Sequence, residues 1–179
     1  MCIYTIRKLL QIPEYKVTRI IAISETEIHI RLEAYKRKTA KCSGCGQEHK
    51  ESVHSLKEVT VEDKPMSGRR VYLHVIKRLY RCPVDSRIYI EEIPWLKKWS
   101  RVTKRFAQQV NKLTAITTNQ EAGWFLGLDD ETVYRIDKEM LEAQYNAKLI
   151  PPPAAINISV DEVSYKKYHR YLTNVVDTD

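Results

Sequence analysis

The chain has 179 residues and a net charge of +7, with 30 lysines and arginines against 23 acidic residues. This length suits one medium-sized domain or two to three small modules. No apolar run approaches the roughly 20 residues that span a bilayer, and the N-terminus lacks the apolar segment of a secretory signal, which argues against membrane and secreted classes. The four cysteines then indicate metal binding or reduced thiols in a cytoplasmic protein.

The positive charge is concentrated in one segment. Between Lys64 and Arg105 there are twelve lysines and arginines but three acidic residues, a net charge of +9. Such a segment indicates a polyanionic partner, most simply nucleic acid. The alternative is the solvated surface of a basic protein.

Residues 1–40 are predicted to form a β-hairpin. Ile28, Ile30 and Leu32 alternate with polar residues, as in a half-buried strand, and residues 15–23 are rich in β-branched side chains. The turn is expected at residues 24–26. Cys2 is expected to be a thiol without a role in binding.

Residues 41–93 are predicted to form a zinc-finger-like β module. Cys42 and Cys45 stand two residues apart among glycines, which is half of a tetrahedral zinc site. Cys82 follows later, and Asp85 occupies the position where a second cysteine pair would close. Carboxylate oxygen binds zinc, so these four residues are the predicted ligands. The alternatives are a site without metal or a fourth ligand chosen from His49, His54 and His74.

Three strands are predicted in this module, at residues 57–61, 71–80 and 88–90, with a turn near residues 65–68. They would form a small antiparallel sheet that is stapled by metal, because the module is too small for a core of its own. The basic side chains of this sheet suit phosphate contacts better than base reading. They are Arg69, Arg70, Lys77, Arg78, Arg81 and Arg87.

Residues 94–150 are predicted to be a three-helix DNA-binding domain. Ser100 or Thr103 would cap the first helix, whose apolar stripe is Val102, Phe106, Val110 and Leu113. The second helix would bury Ala122, Phe125 and Leu126, with Trp124 also in the core. Gly127 would end it in the left-handed conformation.

The third helix is predicted to begin after a cap at Asp129 or Asp130 and to bury Val133, Ile136 and Met140. Two helices around a glycine turn are typical of a DNA-binding helix-turn-helix, and the alternative is an ordinary helical hairpin. The acidic residues 129–131 at the start of this helix would repel phosphates. The predicted DNA contacts of the domain are Lys104, Arg105, Thr132, Tyr134, Arg135 and Lys138.

Residues 151–179 begin a different structure. Pro151, Pro152 and Pro153 would form a stiff spacer, and two strands are predicted after it. A segment this short cannot bury a core of its own, so we expect the start of a truncated domain.

From about Leu10 to its last residue, the sequence resembles transposases of the ISL-three family of bacterial insertion sequences. The matching segments occur in family order: CSGCG, GRRVYLHVIKRLYRC, EEIPW, LGLDDETVYRI and ISVDEVSYKKYHRYLTNVVD. The resemblance implies a zinc-binding N-terminal module, a helix-turn-helix and a DDE catalytic domain of RNase H-like fold. It also implies binding of the element ends, followed by strand cleavage and transfer with two divalent metal ions.

Residue by residue, Cys42, Cys45 and Cys82 match the zinc ligands of the family, and Asp85 stands where a cysteine usually lies. Asp161 matches the first catalytic carboxylate. The other two would lie beyond residue 179, so the chain alone is expected to be inactive, with Mg²⁺ needed only by the absent part.

The sequence therefore predicts an α+β protein: a small antiparallel zinc-ribbon-like module, a three-helix helix-turn-helix unit and an incomplete RNase H-like β-hairpin. Its expected partner is double-stranded DNA in the nucleoid, and a homodimer is left open. The rival hypotheses are a stand-alone DNA-binding regulator and a metal-stapled protein-interaction module. A steep salt dependence of DNA binding would separate the DNA-binding hypotheses from the last one.

Overall fold

The structure, a computed structural model, describes residues 3–35, 39–49, 53–97, 100–147, 158–166 and 170–177. Cys2 and the proline spacer at residues 151–153 lie outside them, so the predictions made there stay predictions. The chain divides into two compact units, residues 1–142 and residues 143–179. Helices and strands together confirm the α+β class.

The helices are α1 (Ile3–Leu10), α2 (Lys104–Thr114), α3 (Asn119–Leu126) and α4 (Asp130–Ala147). The strands are β1 (Tyr15–Ile23), β2 (Glu27–Ala34), β3 (Ala40–Lys41), β4 (Glu48–His49), β5 (Ser55–Met66), β6 (Arg69–Arg81), β7 (Ile88–Ile90), β8 (Ile158–Lys166) and β9 (Arg170–Asp177).

The main sheet has the strand order β1-β2-β6-β5, with β7 paired to β6. Strands β1 and β2 form the predicted antiparallel hairpin. Strand β2 then pairs with β6 in parallel, with Ile28 opposite Val71 and Ile30 opposite Leu73. The predicted small antiparallel sheet is therefore corrected to a mixed sheet that includes the N-terminal hairpin. The physical reason is shared burial, because the apolar residues of both segments line one face and neither segment could cover them alone.

Helix α1 packs against this face through Ile6 and Leu10, both buried. Sequence reasoning missed the helix. Its signal was present, because Ile3, Ile6 and Leu10 are spaced at i, i+3 and i+7. Ile93 and Leu96 extend the same core.

Helices α2, α3 and α4, which we call the three-helix unit, have a second core. Its buried residues are Phe106, Val110, Ala122, Leu126, Val133 and Ile136. The stripe predicted on the first helix is confirmed, since Val102 and Leu113 pack against this core.

Local hydrogen bonds fix the helix ends of the three-helix unit. The Thr103 hydroxyl caps α2, and Thr118 with Glu121 forms a capping box on α3. Gly127 ends α3 with φ 71°, as predicted. Asp129 caps α4, because its carboxylate accepts a hydrogen bond from the backbone N–H of Thr132 at 2.7 Å.

Two aromatic residues of α3 depart from the prediction. Trp124 is 86% exposed and Phe125 is 67% exposed, whereas Ala122 and Leu126 are buried. The helix has two turns, and Trp124 lies about 200° around its axis from Ala122, on the side away from α2 and α4. Placing both aromatic residues in the core was therefore wrong.

The three-helix unit is attached to the sheet through the end of β5. The backbone N–H of Glu62 donates to the carbonyl of Arg101 at 2.7 Å, and the Thr103 N–H donates to the carbonyl of Glu62 at 2.9 Å. The buried carboxylate of Asp63 accepts hydrogen bonds from the Thr103 hydroxyl and the Arg105 guanidinium. The first turn of α2 is thus held by a strand residue about 40 positions earlier in the chain.

Strands β8 and β9 form an antiparallel hairpin in the second unit. Asp161 lies opposite Asn174, and both of these side chains are exposed. The hairpin itself is confirmed. Its membership of an RNase H-like domain stays a prediction.

Candidate functional site

Three cysteine side chains converge in the first unit. The sulfur atoms of Cys42, Cys45 and Cys82 all lie within 4.8 Å of one another. Cys42 and Cys82 are buried, Cys45 is half-buried, and none of the three forms a disulfide. Among the described residues this is the one group of three or more potential metal ligands.

Two turns of the same hydrogen-bond pattern supply these sulfurs. In the first, the Cys42 N–H donates to the Gln47 carbonyl at 2.9 Å and the Gly46 N–H donates to the Cys42 carbonyl at 2.9 Å. In the second, the Cys82 N–H donates to the Arg87 carbonyl at 2.7 Å and the Ser86 N–H donates to the Cys82 carbonyl at 2.8 Å. The spacing is identical in the two turns, so the second turn has Asp85 at the position that Cys45 occupies in the first.

The donor set fits Zn²⁺. The pKa of the Cys82 thiol is raised above its usual range, chiefly by burial, and the backbone N–H groups of Val84 and Asp85 offset only part of this effect. In the first turn the Gly44 N–H donates to the Cys42 sulfur at 3.4 Å. These backbone donors oppose the effect of burial, and a divalent cation among three sulfurs would complete the deprotonation that zinc ligands require.

The Asp85 side chain forms a hydrogen bond with the Cys82 side chain, but its oxygens are not among the ligand atoms that lie within 4.8 Å of one another. One carboxylate oxygen accepts a hydrogen bond from the Tyr89 hydroxyl at 2.6 Å, and the other accepts from the Arg87 N–H at 3.1 Å. These hydrogen bonds, with that from Tyr89 the largest influence, hold the pKa of Asp85 below its usual range. The carboxylate is thus kept ionised, as a metal ligand must be.

The histidine alternatives are not grouped with the sulfurs. His74 lies on the main sheet, where its ring nitrogen is 3.0 Å from that of His29. His54 is exposed and its Nδ1 lies 3.2 Å from the Ser55 hydroxyl. The side chain of His49 lies outside the described part of the chain. Neither described histidine can therefore complete the site as placed.

The outer face of α4 carries the second cluster of predicted residues. Val133 and Ile136 are buried, whereas Tyr134, Arg135 and Lys138 are exposed on the opposite side of the helix. The first turns of the helix border an open, shallow depression on this face. Its lining residues are Asp129, Glu131, Thr132, Tyr134, Arg135 and Lys138.

Three of the arginines that were predicted to contact DNA make ion pairs inside the first unit. Arg70 donates to both oxygens of Glu62, at 2.7 and 3.0 Å. Arg78 contacts the buried carboxylate of Glu91 at 2.6 Å, and Arg105 pairs with the buried carboxylate of Asp63. The structure thus gives each of these three guanidinium groups a carboxylate partner, although the Arg70 and Arg105 side chains remain 37% and 32% exposed.

The other cations that were predicted to contact DNA are more available to a phosphate group. Arg81 and Lys104 are exposed, and each donates one hydrogen bond to a backbone carbonyl. Arg69 is half-buried and donates to the Ser24 carbonyl at 2.8 Å. Lys77 is also half-buried, and burial lowers its pKa.

Comparisons with known proteins agree with this geometry. Residues 38–84 match a family model described as the zinc-finger of transposase IS204/IS1001/IS1096/IS1165. Over 150 residues the chain is 34% identical to the transposase for insertion sequence element IS1001 from Bordetella parapertussis. The alignment covers 82% of this chain. The chain belongs to the ISL3 (ISL-three) family of transposases. No solved structure gives a significant match.

This ISL3 chain spans 36% of the length of that curated relative. The zinc-finger match contains all three clustered cysteines and ends one residue before Asp85. A structural zinc centre therefore has support from both the family and the geometry, whereas the role of Asp85 is a proposal. No helix among the described residues is long and apolar enough to cross a membrane.

Proposed function

We propose that this chain is the DNA-binding part of an insertion-sequence transposase and recognises the ends of its element. The observation that carries the proposal is the outer face of α4, which presents Tyr134, Arg135 and Lys138 to solvent from a helix that is fixed by its own core. The turn before α4 contains Gly127, as in DNA-binding helix-turn-helix units. Membership of the ISL3 family supports duplex DNA as the partner.

Side chains of α4 are proposed to read base edges from the major groove. Arg135 is the preferred reader, because a guanidinium binds guanine through two hydrogen bonds. Thr132 and Tyr134 would flank it, and Lys138 would approach a phosphate one turn later along the helix. The Asp129 carboxylate should repel phosphate less than a free carboxylate would, since it already accepts a hydrogen bond from the Thr132 N–H.

Phosphate contacts are assigned to exposed cations outside α4. Arg81 and Lys104 are exposed, and each could approach a DNA backbone without breaking an ion pair. Arg87 is also exposed, but its side chain interacts with Asp85 and Tyr89. Arg69 and Lys77 are retained as secondary contacts because they are half-buried. Arg70, Arg78 and Arg105 are assigned to the stability of the fold, given their carboxylate partners.

Zinc is proposed to be structural. Cys42, Cys45 and Cys82 would hold it with Asp85 as the fourth ligand, which joins the turn after β3 to the turn after β6. A bound ion would supply a crosslink and no chemistry. Its loss should loosen residues 40–90, because both turns depend on it.

Strand cleavage and transfer are proposed for the whole transposase and not for the described residues. Asp161 is proposed as the first catalytic carboxylate, and two Mg²⁺ ions would need further carboxylates around it. Among the described residues, no group of three or more potential ligands includes Asp161. A homodimer and association with the nucleoid stay predictions.

The test is fluorescence anisotropy of the purified chain on DNA that flanks its own gene, with random DNA as the control. The titration is repeated across a salt series, with and without a zinc chelator. Tighter binding to the flanking DNA, steep in salt and lost with chelator, is expected. Equal binding to both DNAs would contradict recognition of element ends. Weak binding without a salt slope would favour a protein partner.

A further inference from the structure

We propose that Tyr89 is a positioning residue that sets Asp85 as the fourth ligand of the zinc centre. The inference rests on the proposed zinc site and adds a specific role for a residue that is not itself a ligand. Tyr89 lies on β7, seven residues after Cys82, and contacts both of the turns that supply ligands.

The first observation is the hydrogen bonding of the carboxylate. The Tyr89 hydroxyl donates to one oxygen of Asp85 at 2.6 Å, and the Arg87 N–H donates to the other at 3.1 Å. The Cys82 side chain also forms a hydrogen bond with the carboxylate, and this donor is lost when the thiol is deprotonated by a metal. Each oxygen has two lone pairs, so one lone pair on each would then remain for the metal. Two donors in different directions restrict the rotation of the carboxylate, which is how outer hydrogen bonds orient a metal ligand.

The second observation is the packing of the Tyr89 ring. A Cβ atom on Gly44 would lie 2.6 Å from the ring, so the ring occupies the space that a side chain at position 44 would need. Gly44 lies between Cys42 and Cys45 in the first turn. The ring therefore packs against the turn that carries Cys42 and Cys45, while the hydroxyl binds Asp85 in the turn that carries Cys82.

The sheet fixes Tyr89 in this position. Strand β7 pairs antiparallel with β6, with Tyr89 opposite Tyr80, and an isolated bridge joins Cys42 to Glu91. The backbone of β7 thus runs past both turns. The placement of the hydroxyl is a property of the sheet and does not depend on a flexible surface loop.

A carboxylate needs this support more than a thiolate does. In the two matching turns the backbone N–H groups point toward sulfur at Cys42 and Cys82. A carboxylate at position 85 has a longer side chain with two oxygens, and rotation about its bonds would carry both away from the metal. The Tyr89 hydroxyl should therefore matter when residue 85 is Asp and become dispensable when it is Cys.

The experiment is a double-mutant cycle on metal affinity. Zn²⁺ affinity is measured by competition with a chromophoric chelator for the wild type, Tyr89→Phe, Asp85→Cys and the double variant. Phenylalanine keeps the ring on Gly44 and removes only the hydroxyl. We expect Tyr89→Phe to weaken Zn²⁺ binding about 10- to 100-fold with Asp85 present, and less than about threefold with Cys at position 85.

The absorption spectrum of the Co²⁺-loaded protein gives a second readout. The wild type should show coordination by three sulfurs and one oxygen, and Asp85→Cys should show coordination by four sulfurs. Tyr89→Phe should alter the spectrum only with Asp85 present. A purely structural role of the hydroxyl would leave the spectrum unchanged and would weaken binding equally in both backgrounds.

Three results would overturn the inference. They are an equal loss of affinity in both backgrounds, no loss in either, and an Asp85→Ala variant that binds Zn²⁺ as tightly as the wild type. A wild-type chain that binds no Zn²⁺ at all would instead reject the zinc centre itself. Failure of the positioning role and failure of the proposed site are therefore separate outcomes.

Discussion

The cations of the sheet module and those of α4 have opposite surroundings. Arg70 and Arg78, on β6, each point at a carboxylate that is mostly withdrawn from solvent, and Arg105 does the same at the junction with α2. Arg135 and Lys138 project from a helix whose other face is buried. A basic segment is therefore not equivalent to a basic surface. Guanidinium groups that neutralise buried carboxylates are needed by the fold, because removing one would leave a buried charge without a partner, and the remaining cations are available to a polyanion.

The largest effect should follow from Arg105→Ala. This change leaves the Asp63 carboxylate, which is 1% exposed, without its ion-pair partner. We expect the free energy of unfolding to fall by about 3 kcal/mol, since breaking a buried pair by removing one partner is strongly destabilising. Urea denaturation followed by circular dichroism measures the change.

Arg135→Ala is the matched control in that experiment. It removes an exposed arginine from α4 and should change the free energy of unfolding by less than about 0.5 kcal/mol. If both variants lost the same stability, the contrast between the two groups of cations would be incorrect.

The second prediction tests the turn of the three-helix unit. A Cβ atom on Gly123 would lie 2.6 Å from the carbonyl oxygen of Leu128. We expect Gly123→Ala to lower the free energy of unfolding by about 2 kcal/mol, because the backbone must move to make room for the methyl group. Gly127→Ala should lower it by about 1 kcal/mol, because alanine is strained in the left-handed conformation of this residue. The added Cβ atom would meet no close contact, since its nearest neighbour is Arg70 at 3.5 Å.

Thermal and urea unfolding of both glycine variants would measure this order. An alanine in the middle of an ordinary exposed helix stabilises by up to about 1 kcal/mol relative to glycine. Stabilisation by Gly123→Ala would therefore show that the close approach to Leu128 is absent in solution.

The two regions also differ in how far their sequences predict their structures. In the three-helix unit, the apolar spacing and Gly127 act over a few residues, so helix positions and most of the core could be predicted. The exposure of Trp124 could not be predicted. Helix α3 is short, and its buried face places Ala122 and Leu126 in the core while Trp124 remains outside. Periodicity alone does not say how wide a buried face is.

The sheet depends on contacts that are distant in sequence. The parallel pairing of β2 with β6 joins residues more than 40 positions apart, and no local pattern marks it. The segment for which a net charge of +9 was counted begins at Lys64, so it leaves out Glu62 and Asp63, which directly precede it. Those two carboxylates bind Arg105 and Arg70, so a window along the chain overstated the charge that is available to DNA.

The candidate metal site was the more predictable of the two sites. Cysteine spacing alone identified the three sulfurs that the fold brings together. The contact of Tyr89 with Asp85 and Gly44 could not be predicted, because it requires β7 to pair with β6 beside both turns.

The third prediction concerns DNA recognition by α4. Arg135→Ala should weaken binding to the flanking DNA about tenfold and binding to random DNA much less, because a base contact is lost. Lys112→Ala is the control, since Lys112 is an exposed cation in the last turn of α2. Anisotropy at fixed salt measures both variants. An equal loss on both DNAs for Arg135→Ala would show that Arg135 contacts only phosphate.

The smallest expected effect is the pH dependence of the cap on α4. Hydrogen bonds from Thr132, chiefly from its backbone N–H, hold the pKa of Asp129 below its usual range. A carboxyl whose pKa is lower in the folded state contributes stability above its unfolded pKa and loses it as the pH falls through the folded pKa. We therefore expect the helix content of α4 to fall in acid, below the ordinary range for Asp.

Asp129→Asn separates this effect from other acid-sensitive groups. Asparagine caps a helix about as well as aspartate but does not titrate, so the variant should keep its stability at pH 7 and lose part of the dependence at low pH. Glu121 in the α3 capping box also has a lowered pKa and remains in the variant, so a residual acid transition is expected. Circular dichroism from pH 7 to pH 2 compares the two proteins. Identical curves would show that the Asp129 carboxylate is not the cap of α4 in solution, and the start of that helix would then depend on Asp130 or on tertiary packing alone.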